Sequence, residues 1–214
     1  MNNKAKTAII FGATSGLGWA ISTLFHQNNW NTLCFGRRIE RLMGFRAGVC
    51  NERCSKNQIY CGNICNQKHV KEAIEKCLEV FGQIDCVLVT AAVYTTPHKN
   101  ISNKIRQVFD VNVWGYLNVV SELSNKLKRP SHAVPVFAIS STLSQKAVSG
   151  SLPYSFSKSA LEKLVQLLPG DISQKLIKCR VYTAPPFNSE MNQTSTKSAH
   201  DVAQDLYRMV ETEI

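Results

Sequence analysis

Tyr154 and Lys158 stand four residues apart in Tyr154-Ser155-Phe156-Ser157-Lys158, and Ser141 lies thirteen residues before the tyrosine. On a helix, positions i and i+4 share a face, which sets an ammonium beside a phenol. A free phenol with a pKa near ~10 is a poor base at neutral pH, and an adjacent positive charge favours its phenolate. The chemistry this pairing predicts is proton transfer at one oxygen while a hydride moves at the neighbouring carbon. Near the start of the chain, Gly12-Ala13-Thr14-Ser15-Gly16-Leu17-Gly18 offers a turn suited to a dinucleotide.

Side chains so far apart in sequence meet only if the fold carries them to one edge. Apolar runs alternate with amphipathic stretches along the chain, the pattern of repeated βα units and a parallel sheet. Strands are expected over 6–11, 31–35, 57–61, 84–90, 133–140 and 177–183, with helices over 16–29, 38–48, 67–81, 101–128, 153–168 and 198–212. Right-handed crossovers then give an α/β, Rossmann-type doubly wound parallel sheet of six strands in the order 3-2-1-4-5-6. Helices cover both faces, and the ligand crevice lies at the carboxyl ends of the strands. One NAD(P)-binding domain is expected over residues 1–214. A Pro-, Asn-, Ser- and Thr-rich stretch at 182–197 supplies a short substrate loop near 184–197.

The glycine run directly follows the first strand and opens the first helix. Gly12 and Gly16 permit a tight turn, while the amides around Thr14, Ser15, Gly16 and Leu17 face a pyrophosphate at a helix N-terminus. The competing reading is an ordinary turn capped by Thr14 or Ser15. At the end of the second strand, Gly36-Arg37-Arg38-Ile39-Glu40-Arg41 lacks the acidic residue that receives ribose hydroxyls in NAD-preferring proteins. Arg37 and Arg38 instead present planar guanidinium donors fit for a 2′-phosphate, which predicts NADP(H) over NAD(H). Arg41 is read as part of a solvated helix start.

Taken in order, the glycine run, Asn112 in Asp110-Val111-Asn112-Val113-Trp114-Gly115, Ser141 and the Tyr154–Lys158 motif resemble the short-chain dehydrogenase/reductase family over residues 7–190. The resemblance implies that Asn112, Ser141, Tyr154 and Lys158 form a catalytic tetrad. It makes Tyr154 the general acid in reduction and the general base in oxidation. Lys158 would hydrogen-bond the nicotinamide ribose and bias Tyr154 toward phenolate, while Ser141 would hold the substrate carbonyl oxygen. Asn112 would interrupt a long helix and hold a water that links Lys158 to solvent.

Several positions depart from the family pattern. Thr90-Ala91-Ala92-Val93 replaces Asn-Asn-Ala-Gly, removing two amide side chains that support the sheet; Ala91 and Ala92 stay small enough to border the cofactor. Asn63, followed by Ile64, replaces an Asp that meets the adenine amino group, and its amide oxygen still accepts such a bond. Ala184-Pro185-Pro186-Phe187 replaces a Pro-Gly turn, with Pro185 and Phe187 expected against the cofactor. The chain ends at Ile214 without the family's seventh strand, which predicts a small lid, an open crevice and a homodimer through the helices at 101–128 and 153–168. The substrate wall is expected from 94–99, 143–152 and 187–194. Phe187 and Met191 are candidates to pack on a ring, and Lys146 to meet an anionic group.

Composition narrows the alternatives. No run of eighteen apolar residues is long enough to span a bilayer, and Met1 to Lys6 run into the first strand with no room for a signal peptide, so a cytoplasmic, non-membrane protein is expected. The formal charge of +10 invites nucleic acid, yet the basic residues are scattered and no nucleic-acid motif accompanies them. The eight cysteines are read as free thiols. The spacing of Cys50, Cys54, Cys61 and Cys65 lacks tight CxxC pairs and straddles a strand, so no metal site is expected.

The leading reading is an NADP(H)-dependent oxidoreductase interconverting a carbonyl and a secondary alcohol on a small or medium organic substrate. A dinucleotide-binding sensor or scaffold without turnover is the alternative, carried by the altered motifs. A retained tetrad, for which a sensor has no physical need, weighs against it.

Overall fold

The computed structural model describes residues 5–49, 56–95, 100–127, 130, 132–146, 148–172 and 176–214. Six strands form one sheet: β1 (Thr7–Phe11), β2 (Asn31–Gly36), β3 (Asn57–Cys61), β4 (Cys86–Val89), β5 (Val134–Ser141) and β6 (Ile177–Ala184). Their order is β3-β2-β1-β4-β5-β6, and every pairing is parallel. The predicted doubly wound topology is the one observed.

The central strands are buried along nearly their whole length and mostly apolar because helices cover both faces of the sheet. Side chains alternate between two cores. Ile9 and Phe11 of β1 face a cluster built with α3 (Gln67–Phe81), α5 (Gly115–Lys126) and α6 (Leu152–Leu167). Ala8 and Ile10 face the opposite cluster, built with α1 (Gly16–Gln27), α2 (Ile39–Val49) and α7 (Ala199–Glu213). Leu17, Ile21 and Phe25 form the inward stripe of α1 at the four-residue spacing a helix requires.

Helix ends carry the local signals that fix their lengths. Asn66 caps α3 by accepting the Lys68 amide at 3.0 Å, and Gly82 ends that helix in the left-handed conformation. Ser198 and Asp201 form a reciprocal capping box that starts α7 just after the 184–197 segment.

The single long helix expected over 101–128 is instead two. α4 (Ile101–Phe109) passes through one π-helical turn at Asp110–Trp114 into α5, and Asn112 sits inside that turn. Position 128 lies outside the described residues. Short 3-10 turns at Thr142–Gln145 and Leu168–Gly170 were also not legible in the sequence. All six strands end at the same edge, and the order reverses between β1 and β4. That switch point opens the crevice.

Candidate active site

The turn after β1 is built by close approach. Gly12 has φ +107°, and a Cβ there would lie 2.4 Å from the Ala91 amide nitrogen. A Cβ at Gly18 would lie 2.2 Å from the Gly12 carbonyl oxygen. Both positions must therefore lack a side chain for the first turn of α1 to seat against the end of β4. The Thr90 hydroxyl, standing where the sequence loses an amide, donates to the Phe11 carbonyl at 3.1 Å and restores a bond between β4 and β1.

Ser15 takes the N-cap position of α1, yet its side chain caps nothing. Its Oγ accepts from Arg38 Nη2 at 2.7 Å, and Thr14 Oγ1 accepts from Arg38 Nη2 at 2.8 Å and Nε at 3.2 Å. The capped-turn alternative is thus not what forms. With no side chain serving them, the leading amides of α1 remain directed at the crevice, where the helix dipole favours an anion.

Arg37 is exposed at the rim. Arg38 also reaches Glu190 Oε2 with Nη1 at 3.0 Å, and Arg41 Nη1 reaches Glu190 Oε1. Arg41 is exposed in the first turn of α2, as the reading of a solvated helix start has it, and a carboxylate from the loop after β6 pairs with it there. The two guanidinium groups hold the Glu190 carboxyl below its ordinary range. Just past the end of β3, Asn63 Oδ1 accepts the Cys65 amide at 3.1 Å and keeps a second lone pair for another donor.

At the other end of the crevice, α6 carries Tyr154 and Lys158 on one face. Lys158 is buried; its Nζ donates to the Ile139 carbonyl at 2.7 Å and lies 5.5 Å from the centroid of the Tyr154 ring. Ser141 ends β5, where its Oγ accepts the Leu143 amide at 3.3 Å and stands near enough to the Tyr154 phenol to influence its ionisation. Tyr94 packs its ring 5.2 Å from that of Tyr154.

The electrostatics differ from the sequence expectation. Burial pushes the Tyr154 phenol up to about 12, the neighbouring Ser141 hydroxyl opposing and Tyr94 adding to the rise. Burial pulls Lys158 down to about 8, with nearby Glu162 opposing. The ammonium faces the tyrosine ring and a carbonyl, so desolvation outweighs the charge that was expected to favour phenolate.

Asn112 is buried behind the site. Its Oδ1 accepts the Val93 amide at 2.8 Å, and its Nδ2 donates to the Val93 carbonyl at 3.1 Å and to Ser157 Oγ at 3.0 Å. Both amide protons are committed to these partners. It lies within the π-helical turn and braces the β4 loop and α6 directly.

A crevice of about 880 Å³ joins these two ends. Gly12, Thr14, Ser15, Gly16, Leu17, Arg37, Arg38, Asn63, Ile64, Ala91, Ala92, Pro185 and Phe187 line it together with Ser141, Tyr154 and Lys158; Asn112 does not. Lys146 is exposed and off the wall, whereas Met191 is on it. Of the substrate wall expected from 94–99, residues 96–99 lie outside the described residues, as do Cys50 and Cys54 of the cysteine spacing. Sequence reasoning missed Glu190, the only carboxylate between Tyr182 and Lys197, and Glu162, which continues the Tyr154–Lys158 face by one more four-residue step. Glu162 accepts from Ser140 Oγ at 2.5 Å and Ser144 Oγ at 2.7 Å, on either side of Ser141.

The donor set suits a nicotinamide dinucleotide. Helix-terminal amides and guanidinium groups stand at the anionic end, and hydroxyl and ammonium groups stand at the reacting end. The crevice volume is in the upper part of the usual range for ligand clefts, roughly 300–1,000 Å³.

A family model described as short chain dehydrogenase matches residues 6–200. An uncharacterized oxidoreductase of Listeria innocua is 26% identical over 218 residues, covering 97% of this chain and 85% of the relative. Among solved structures, a short chain dehydrogenase/reductase from Burkholderia phymatum in complex with NAD matches with a TM-score of 0.86 at 16% identity, covering 99% of this chain and 88% of that one. ElxO with NADP bound matches at 0.81 and 16%, covering 96% and 91%. At these identities the structural likenesses establish the fold.

Proposed function

The chain belongs to the short-chain dehydrogenase family and is an oxidoreductase enzyme; from that premise we propose that it interconverts a carbonyl and a secondary alcohol on a small or medium organic substrate, with NADP(H) as cofactor. The observation that carries the reading is the Tyr154 phenol facing Ser141, with Lys158 beneath the ring, in a crevice whose other end is a glycine turn and a guanidinium pair. When bound, the nicotinamide supplies the hydride in reduction and accepts it in oxidation. Ser141 holds the substrate oxygen beside the phenol. Tyr154 gives that oxygen a proton in reduction and removes it in oxidation.

A phenol held at about 12 carries its proton at neutral pH before substrate binds, so the proton that reduction requires is already on Tyr154. Lys158 keeps a positive charge under the ring below about pH 8 and offers donors to the ribose. Asn112 holds the β4 loop and α6 in register. Arg38 and Arg37 favour the 2′-phosphate of NADP(H); the fold neighbours include one complex with NADP and one with NAD.

The reading extends to one catalytic domain, with the 184–197 segment against the substrate end. A homodimer through α4 and α6 is supported by exposed apolar residues there: Ile101 on α4, and Leu152, Phe156 and Leu167 on α6, with Phe156 packed 4.9 Å from Phe109. A monomer in light scattering at working concentration rejects it. No helix among the described residues is long and apolar enough to cross a membrane, and the free thiols at Cys34, Cys61, Cys65, Cys77, Cys86 and Cys179 fit a reducing, cytoplasmic setting.

The function is tested by following NADPH oxidation against ketones, aldehydes, quinones and keto-sugars, with NADH in parallel. Turnover of a carbonyl with NADPH is expected. NADPH binding without turnover of any member supports the sensor reading instead.

A further inference from the structure

The loop after β6 is a self-bonded tongue. At its base, the Asn188 amide donates to the Lys197 carbonyl at 2.8 Å, and Ser195 Oγ donates to the Pro186 carbonyl at 3.0 Å. At its tip, Ser189 and Asn192 exchange backbone bonds of 2.8 and 3.1 Å, and Ser189 Oγ accepts the Met191 and Asn192 amides. Glu190 stands in that tip. Among the described residues, the hydrogen bonds that residues 189–194 make outside the tongue are those of Glu190 to Arg38 and Arg41. The tongue crosses the glycine turn closely, since a Cβ at Gly16 would meet Ser189 Cβ at 3.7 Å.

We propose that Glu190 determines cofactor choice: its carboxylate holds Arg38 and Arg41 as an internal anion, which a 2′-phosphate displaces and a ribose 2′-hydroxyl leaves in place. The inference rests on the crevice binding a nicotinamide dinucleotide, as proposed above. A phosphate monoester carries about −1.5 to −2 charge at neutral pH against −1 for a carboxylate, and three oxygens suited to bidentate guanidinium contacts. It wins the competition. The uncharged ribose of NAD(H) gains nothing by separating the ion pairs, so it binds with the tongue latched. Glu190 therefore opposes NADP(H) alone, and NADP(H) binding frees the tongue tip that borders the crevice.

The test is the dissociation constants of NADPH and NADH, measured by isothermal titration calorimetry at fixed ionic strength for the wild-type chain and for Glu190→Gln. Both partners of the pair are half exposed, so the effect is modest: NADPH tightens by about 3- to 10-fold in the variant, while NADH changes by less than about 2-fold. Equal changes for both cofactors, no change for either, or weaker NADH binding overturn the proposal, the last because it makes Glu190 a ribose acceptor. The wild-type ratio judges the cofactor reading separately. A chain that prefers NADH yet gains NADPH affinity in Glu190→Gln upholds the latch and rejects the NADP(H) preference; a chain that prefers NADPH and is indifferent to Glu190→Gln does the reverse.

Discussion

Asn112 grips Val93 by both ends of its backbone, accepting from the amide at 2.8 Å and donating to the carbonyl at 3.1 Å. Its remaining proton goes to Ser157 Oγ, and that hydroxyl in turn donates to the Tyr154 carbonyl at 2.7 Å. A carboxamide is one of few side chains able to donate twice and accept at once. The loop after β4, the π-helical turn and the helix bearing Tyr154 are thereby tied through one side chain.

Asn112→Ala should remove that tie and leave the Val93 backbone polar groups without their partner. Because the residue is buried, the expected cost is about 2–4 kcal/mol in urea unfolding, with turnover down at least about tenfold as Tyr154 loses its backing. An unchanged urea midpoint would show that the bracket does not contribute.

Gly18→Ala should be poorly tolerated, since its Cβ would meet the Gly12 carbonyl oxygen at 2.2 Å and Thr90 Oγ1 at 2.5 Å. We expect a loss of roughly 3 kcal/mol or more. Gly44, inside α2 with nothing within 4 Å of its would-be Cβ, provides the matched control. Gly44→Ala should stabilise by about 0.5–1 kcal/mol through helix propensity alone. Equal melting temperatures for the two variants would contradict the packing account.

The sheet was readable because Ala8–Phe11 and Cys86–Val89 are continuous apolar runs, as suits strands covered on both faces. The residues around the crevice were readable because turn glycines and the Tyr154–Lys158 spacing are local patterns. The π-helical turn was not, because a slip from i+4 to i+5 bonding at Asp110–Trp114 leaves the apolar pattern nearly unchanged. Nor was the role of Arg41, whose partner Glu190 lies 149 positions away. The sign of the Tyr154 shift escaped for a related reason: spacing reports that a charge is near, whereas burial depends on every element packed around it.

Tyr154→Phe keeps the ring beside Tyr94 and deletes the hydroxyl that faces Ser141. Carbonyl reduction should fall by about 10²–10⁴-fold, while the NADPH dissociation constant stays within about twofold. Retained turnover would assign the proton to another group.

Lys158 supplies a pH-dependent prediction. Its folded pKa of about 8 lies below the ordinary 10.5, so between those values the unfolded chain holds a proton that the folded chain has released. Stability therefore rises with pH across that window, and the burial penalty is felt in full below about pH 8. Tyr154 acts in the opposite sense only higher, where its rise from 10.0 to about 12 makes stability fall with pH. Lys158→Met, which removes the buried charge, should be more stable than wild type at pH 7 by roughly 1–3 kcal/mol, after allowing for the lost bond to the Ile139 carbonyl. That advantage should shrink by pH 9.5, and reduction by the wild type should decline as pH passes through about 8 and the charge under Tyr154 is lost. Urea titrations of both chains at the two pH values check the first claim, and a variant less stable than wild type at pH 7 would mean that the ammonium is better solvated than its burial indicates.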